Sequence, residues 1–96
     1  MRKSNSEPLK EVLKQYLRAI GAERKMKEIN LKRNWEYIVG RAFARYTESI
    51  YIKNETFYIK MKSPAAKHEL LMIKSELVDR LNQEAGEELI KNIVVT

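Results

Sequence analysis

Apolar residues recur along this 96-residue chain with two different periods, and the change from one to the other divides it into regions. Leu9, Val12, Leu13, Tyr16, Leu17 and Ile20 fall at helical spacing behind Ser6, a good N-cap residue, and Pro8, which suits a first helical turn. Gly21 comes next as a stop, so the pattern predicts a first helix over Glu7 to Ile20. Met26, Ile29, Leu31, Trp35, Ile38, Val39 and Ala42 predict a second helical region over 23–39, with a break near Asn30 and a bend at Gly40. Beyond Tyr46-Thr47 the period becomes two. Ile50, Ile52, Phe57, Ile59 and Met61 fall on one face, and Tyr51, Lys53, Tyr58, Lys60 and Lys62 on the other.

A two-residue loop at Asn54-Glu55 sets Ile52 opposite Phe57 and Tyr51 opposite Tyr58, a register in which all five apolar side chains share a face. Glycine is the usual second residue of such a turn. A positive φ at Glu55 costs roughly 1–2 kcal/mol, which leaves a longer or looser loop open as an alternative. Ser63 can cap and Pro64 can start a long helix carrying Ala66, Leu70, Ile73, Leu77 and Leu81 in one stripe, flanked by Leu71 and Val78 and ending at Gly86. The last apolar run, Ile90 to Thr96, is short and β-branched and reads as a strand. The order α-α-β-β-α-β predicts an α+β domain: a three-stranded sheet with helices packed on one face.

A chain of this length builds one small core, and the expected organisation is a flexible start over 1–6 leading into a single domain over 7–96. The composition, 44% hydrophobic and 33% charged, is that of an ordinary globular sequence. No apolar run approaches the ~20 residues of a bilayer span and the start does not resemble a signal peptide, so a soluble cytoplasmic protein is expected. Cysteine is absent and histidine occurs once, which removes thiolate chemistry and leaves no set of zinc ligands.

Charge changes the picture more than composition does. Residues 1–62 carry 15 Lys/Arg against 7 Asp/Glu, or +8, whereas residues 63–96 carry 4 against 6, or −2, so the basic surface behind the net charge of +6 belongs to the N-terminal two-thirds. That asymmetry suits a polyanion or an acidic protein surface, although charge also serves solubility alone. Lys10, Lys14 and Arg18, spaced four apart, line up along the polar side of the first helix, diluted by Glu7 and Glu11. Arg41 and Arg45 add charge after the second helical region. On the polar face of the hairpin Tyr51 and Tyr58 alternate with Lys53, Lys60 and Lys62; aromatic faces stack bases and ammonium groups meet phosphates. The same composition also protects a solvent-facing sheet that binds nothing. Trp35 falls on the apolar side of its helix with Ile38, Val39 and Ala42, which gives it a core role and obliges its indole N–H to find a partner.

The catalytic inventory is sparse. His68 has no Ser, Cys or Asp in a nucleophile pattern beside it, Glu87-Glu88 reads as a solvated pair, and Gly21, Gly40 and Gly86 are isolated, so no phosphate loop exists. Neither an enzyme nor an ATPase-type loader is expected.

The order of Trp35, Val39-Gly40, Ala42, Tyr46-Thr47, a hairpin at Asn54-Glu55, Ser63-Pro64-Ala65-Ala66, Glu69-Leu70, Leu77, Leu81-Asn82, Gly86 and Ile93-Val94 resembles the DciA family of bacterial proteins. The resemblance spans about residues 7–96 and makes Trp35, Val39, Gly40, Thr47, Pro64, Leu70 and Gly86 its structural markers. It implies a KH-like fold, docking on the hexameric replicative helicase DnaB, and promotion of its loading onto single-stranded DNA without nucleotide hydrolysis or a cofactor. Ala66 stands where relatives often carry an aromatic residue, and Glu55 where the hairpin glycine is usual. Many relatives continue into a basic tail beyond the folded domain, whereas this chain reaches Thr96 as the last strand closes. With no Gly-x-x-Gly clamp either, binding to single-stranded DNA or RNA is expected to be weak and salt-dependent. A KH-like RNA- or ribosome-associated module is the alternative function. A monomer is expected, with self-association through the edge strand Ile90 to Thr96 as the alternative.

Overall fold

The computed structural model describes residues 3–96, with side chains from Glu7 onward. Eight elements occur in order: α1 (Lys3–Arg33), α2 (Trp35–Val39), α3 (Arg41–Arg45), β1 (Thr47–Lys53), β2 (Thr56–Met61), α4 (Pro64–Met72), α5 (Lys74–Ala85) and β3 (Asn92–Val95). The strands form one sheet in the order β1-β2-β3, with β2 antiparallel to β1 and parallel to β3. This is the expected α+β, KH-like succession of helices, hairpin, helix and strand. The core lies on one face of the sheet, where Phe57, Ile59 and Met61 of β2 and Ile93 and Val95 of β3 meet Leu31, Trp35, Ile38, Val39, Leu70, Leu77 and Leu81 of the helices.

The hairpin forms in the expected register, with Ile52 opposite Phe57 and Tyr51 opposite Tyr58. Asn54 and Glu55 both take positive φ, 51° and 63°, as a tight turn matched to strand twist requires. Glu55 therefore carries the left-handed strain, and its carboxylate is held at 2.9 Å by Arg24 and at 3.9 Å by Lys91. The Lys91 N–H also donates to the Glu55 carbonyl at 2.8 Å, tying the turn to the chain entering β3.

Four helical boundaries differ from expectation. Gly21 does not stop the first helix: α1 runs through it and through Asn30 to Arg33, and Gly21 is not among the residues with positive φ. A helix-interior glycine costs only about 1 kcal/mol against alanine, and Ala19, Ala22, Glu23, Arg24, Lys25 and Lys27 around it are good helix formers. The ion pairs of Lys27 with Glu23 and Glu87, and of Arg24 with Glu55, add anchors beyond it. At the other end the helix starts at Lys3 and not at Glu7, so Ser6 and Pro8 lie inside α1. Of the start expected over 1–6, residues 1 and 2 lie outside the described residues.

The second helical region breaks at Asn34, not near Asn30, and Gly40 at φ 96° separates α2 from α3. That backbone conformation is one L side chains rarely adopt. The long helix after Pro64 divides at Ile73, and the two pieces serve different neighbours: α4 covers β2 and β3, while α5 packs on α1, α2 and β3. Leu70, Leu77 and Leu81 all reach complete burial across that division. Ser63 caps α4 as expected, its Oγ accepting from the Ala66 N–H at 3.3 Å.

Polar side chains close the core in two places. The Trp35 indole N–H donates to Thr47 Oγ1 at 3.0 Å, and that hydroxyl donates to the Phe43 carbonyl at 2.8 Å, joining α2, α3 and β1. Trp35 also stacks on Phe57, with ring centroids 5.2 Å apart. Asn82 organises the connection between α5 and β3: its Oδ1 accepts from the Leu89 and Ile90 N–H groups at 3.0 and 2.7 Å, and its Nδ2 donates to the Ile90 carbonyl at 2.8 Å.

Asn82→Ala leaves three backbone groups beside the buried Leu89 and Ile90 without their partner, so a loss of about 2–4 kcal/mol is expected in denaturant unfolding. Thr47→Val, which keeps the shape and removes both bonds, is expected to cost about 1–3 kcal/mol in the same measurement. The Lys27–Glu87 pair has a pH signature. Their mutual hydrogen bond raises the lysine above its ordinary range and lowers the carboxyl below its own. The contribution of Glu87 is present above the ordinary glutamate pKa and lost as pH falls through the lowered value; that of Lys27 is present below the ordinary lysine pKa and lost as pH rises through the raised one. The difference in thermal stability between the wild type and Glu87→Gln is thus expected to be flat from about pH 5 to about pH 10 and to shrink outside that window.

Candidate nucleic-acid interface

On the outer face of the sheet, aromatic and basic side chains converge. Strand alternation turns Tyr51 and Tyr58 away from the core, and as directly opposed residues they stack with ring centroids 4.5 Å apart and an interplanar angle of 8°. Tyr51 is exposed and Tyr58 half-buried. With Ser49, Lys60, Val94 and Thr96 they line a shallow depression. The two rings cover one another, Tyr58 has Val94 of β3 as its neighbour on the other side, and Tyr51, on the edge strand and the more exposed of the two, is the ring on which a planar base can stack.

The continuity of α1 extends this face. Lys25 and Lys32, seven residues apart and so on one side of the helix, border a second depression shared with Glu28, Ile29, Tyr51 and Ile52. Counting back along the same side reaches Arg18, Lys14 and Lys10. A basic ridge about 33 Å long, from Lys10 to Lys32 at 1.5 Å per residue, therefore runs down one helix and arrives beside Tyr51. Among the described residues none of these five cations is ion-paired, whereas Arg24 and Lys27, on another side of α1, are committed to Glu55 and Glu87.

The sequence-predicted residues thus separate into groups. Tyr51, Tyr58 and Lys60 are brought together, with Lys60 also 3.6 Å from Glu48; Lys53 is exposed at the end of β1, and Lys62, just past β2, is exposed and joined to Tyr46 through its backbone N–H. Lys10, Lys14 and Arg18 are exposed and connected to that group through the ridge. Arg41 and Arg45 are exposed on α3, and Arg41 lies 3.6 Å from Glu36. Neither borders the tyrosine depressions. Instead α3 helps form an apolar groove of Ala42, Phe43, Tyr46, Ala65 and Ala66.

Lys25 and Lys32 were not singled out from sequence, because placing a helix stop at Gly21 and a break near Asn30 cut the ridge into unrelated pieces. Their spacing of seven, in phase with Lys14 and Arg18, was the signal available. Among the described residues no cluster of three metal-ligating side chains occurs, and no helix is long and apolar enough to cross a membrane.

Comparison with curated proteins returned no match. Comparison with protein families matches residues 8–95 to the family described as the Dna[CI] antecedent, DciA. That match covers all but the two ends of the chain, runs from the first turns of α1 through β3, and includes the Trp35–Thr47 contact, the hairpin, the Pro64 helix start and Asn82. The chain belongs to the DciA family.

Proposed function

We propose that this protein is a non-enzymatic adaptor of DNA replication that docks on the replicative helicase DnaB and favours its placement on single-stranded DNA. Membership of a family associated with helicase loading supports the general role. The observation that carries the DNA-binding part is the basic ridge of α1 ending beside the stacked Tyr51–Tyr58 pair. A single strand has a phosphate chain for such a ridge and bases for such a platform, and duplex DNA hides the latter. The contacts are side-chain cations and ring faces, which read charge and stacking and not base edges. Binding of this kind is blind to sequence and falls steeply with salt.

Loading without fuel is a matter of differential affinity. An adaptor that binds the helicase ring more tightly in a conformation able to admit DNA shifts the ring toward that conformation by the ratio of the two affinities. Holding a single strand on the same small domain raises its local concentration at the ring. The activity requires two contacts and no chemistry.

The first test is binding of the full chain to the DnaB of its own organism, after nuclease treatment and at about 150 mM salt, where exposed charge is screened over roughly 8 Å. A saturable complex is expected; its absence, with preferential binding to structured RNA, would replace the proposal with a KH-like RNA module. The second test separates the DNA contact. Tyr51→Ala with Tyr58→Ala is expected to weaken single-stranded DNA binding at least about tenfold at fixed salt. Lys25→Ala with Lys32→Ala should instead flatten the dependence of affinity on salt, by up to about 0.7 in logarithmic slope for each phosphate that the variant no longer neutralises. Unchanged affinity and slope in both variants would remove this face from the proposal.

A further inference from the structure

The free face of Tyr51 and the helix α1 enclose a slot whose chemistry differs from that of the ridge beside it. Because β1 is an edge strand, Tyr51 has Tyr58 on one side and α1 on the other. The slot, about 170 Å³ in volume, is walled by Tyr51 and Ile52 of β1 and by Lys25, Glu28, Ile29 and Lys32 of α1. A planar ring stacked on Tyr51 would therefore enter with its edge among the two lysines and Glu28.

Glu28 is the member that phosphate binding does not explain, since its charge repels a phosphate. The acids near it are engaged: Glu23 and Glu87 with Lys27, and Glu55 with Arg24 and Lys91. Glu28 has Arg24 one turn before it and Lys32 one turn after, yet among the described residues it makes no ion pair. It is also half-buried, in contrast to the exposed Lys25 and Lys32. A half-buried carboxylate beside an open aromatic face is placed to accept hydrogen bonds from what stacks there.

We propose that this slot takes one base of the bound strand and that Glu28 selects guanine in it. A carboxylate accepts and never donates. The Watson–Crick edge of guanine sets N1–H and an N2 amino group side by side, so two donors meet the two carboxylate oxygens, and its O6 lies next to them as an acceptor for a lysine ammonium. Thymine places a single N3–H between two carbonyl oxygens, both of which the carboxylate repels. Adenine and cytosine each offer one amino group beside a ring nitrogen that only accepts. Guanine is thus the best fit and thymine the worst. The inference rests on the single-stranded DNA reading and deepens it: the ridge remains blind to sequence, and the slot reads one position.

The test measures binding of the full chain, at fixed salt, to two strands of about ten nucleotides, one all thymine and one with a single central guanine. The guanine strand is expected to bind at least about fivefold more tightly, the lower end of what one bidentate base contact discriminates. Hypoxanthine in place of that guanine keeps N1–H and O6 but lacks the amino group, and should lose much of the preference. Glu28→Gln, which keeps the shape of the side chain and removes its charge, should bind the two strands equally. Equal binding of both strands by the wild type would overturn guanine selection and leave the single-strand reading standing. A guanine preference that survives in Glu28→Gln would overturn the assignment to this residue. Failure of the wild type to bind either strand would overturn the single-strand reading and this inference together.

Discussion

A three-stranded sheet has one face to bury and must find enough helix to cover it, and this constraint organises the domain. Phe57 sits at the centre, completely buried and stacked against Trp35, with Ile59 and Ile93 beside it. Everything on the inner side answers to these residues. The division of the helix at Ile73 lets α4 cover the strands while α5 reaches back to α1 and α2. Gly40 folds the chain so that Trp35 on one side and Thr47 on the other come within a hydrogen bond of each other. The outer side is released from packing duty, and there the tyrosines and lysines collect.

The parts of the fold legible in the sequence are those in which a short-range rule acts alone. The hairpin is one, since its period, its two-residue loop and its register all agree among themselves, and the αL cost at Glu55 did not displace the turn. Ser63-Pro64 is another, because cap and first-turn preferences are local. The sheet order and the parallel pairing of β2 with β3 were not legible, as they depend on contacts between residues some 35 positions apart. The helix ends failed for a different reason. Glycine is read as a stop because it tolerates positive φ, yet whether it takes that conformation depends on the residues after it. At Gly40 and Gly86 the chain turns away; at Gly21 strong helix formers and distant ion pairs carry the helix onward.

The same misplaced boundary governed how much of the candidate interface was visible. Tyr51, Tyr58 and Lys60 could be placed together from strand alternation, and the structure does bring them together. Lys10, Lys14 and Arg18 formed a stripe on α1 with no destination. Only a helix continuous to Arg33 connects that stripe through Lys25 and Lys32 to the tyrosines. Arg41 and Arg45 were grouped with these residues by charge, and charge alone carries no direction. The hydroxyl of Thr47 was equally opaque as a partner for the Trp35 indole, because strand and helix meet there only after Gly40 has turned the chain.

The attachment of α1 gives it the mechanics of a beam fixed at one end. Its fixed end is set by Leu31 in the core and by the clamps of Arg24 on the hairpin turn and Lys27 on the connection into β3, while Glu7 lies about 26 Å further along the axis from Arg24. A rotation of about 5° at the clamps would carry the far end through roughly 2 Å, a distance large compared with the tolerance of a hydrogen bond. Whatever rests on the hairpin turn or on the segment before β3 therefore acts on the long arm of a lever, and a change too small to disturb the core would reposition the far turns of the helix.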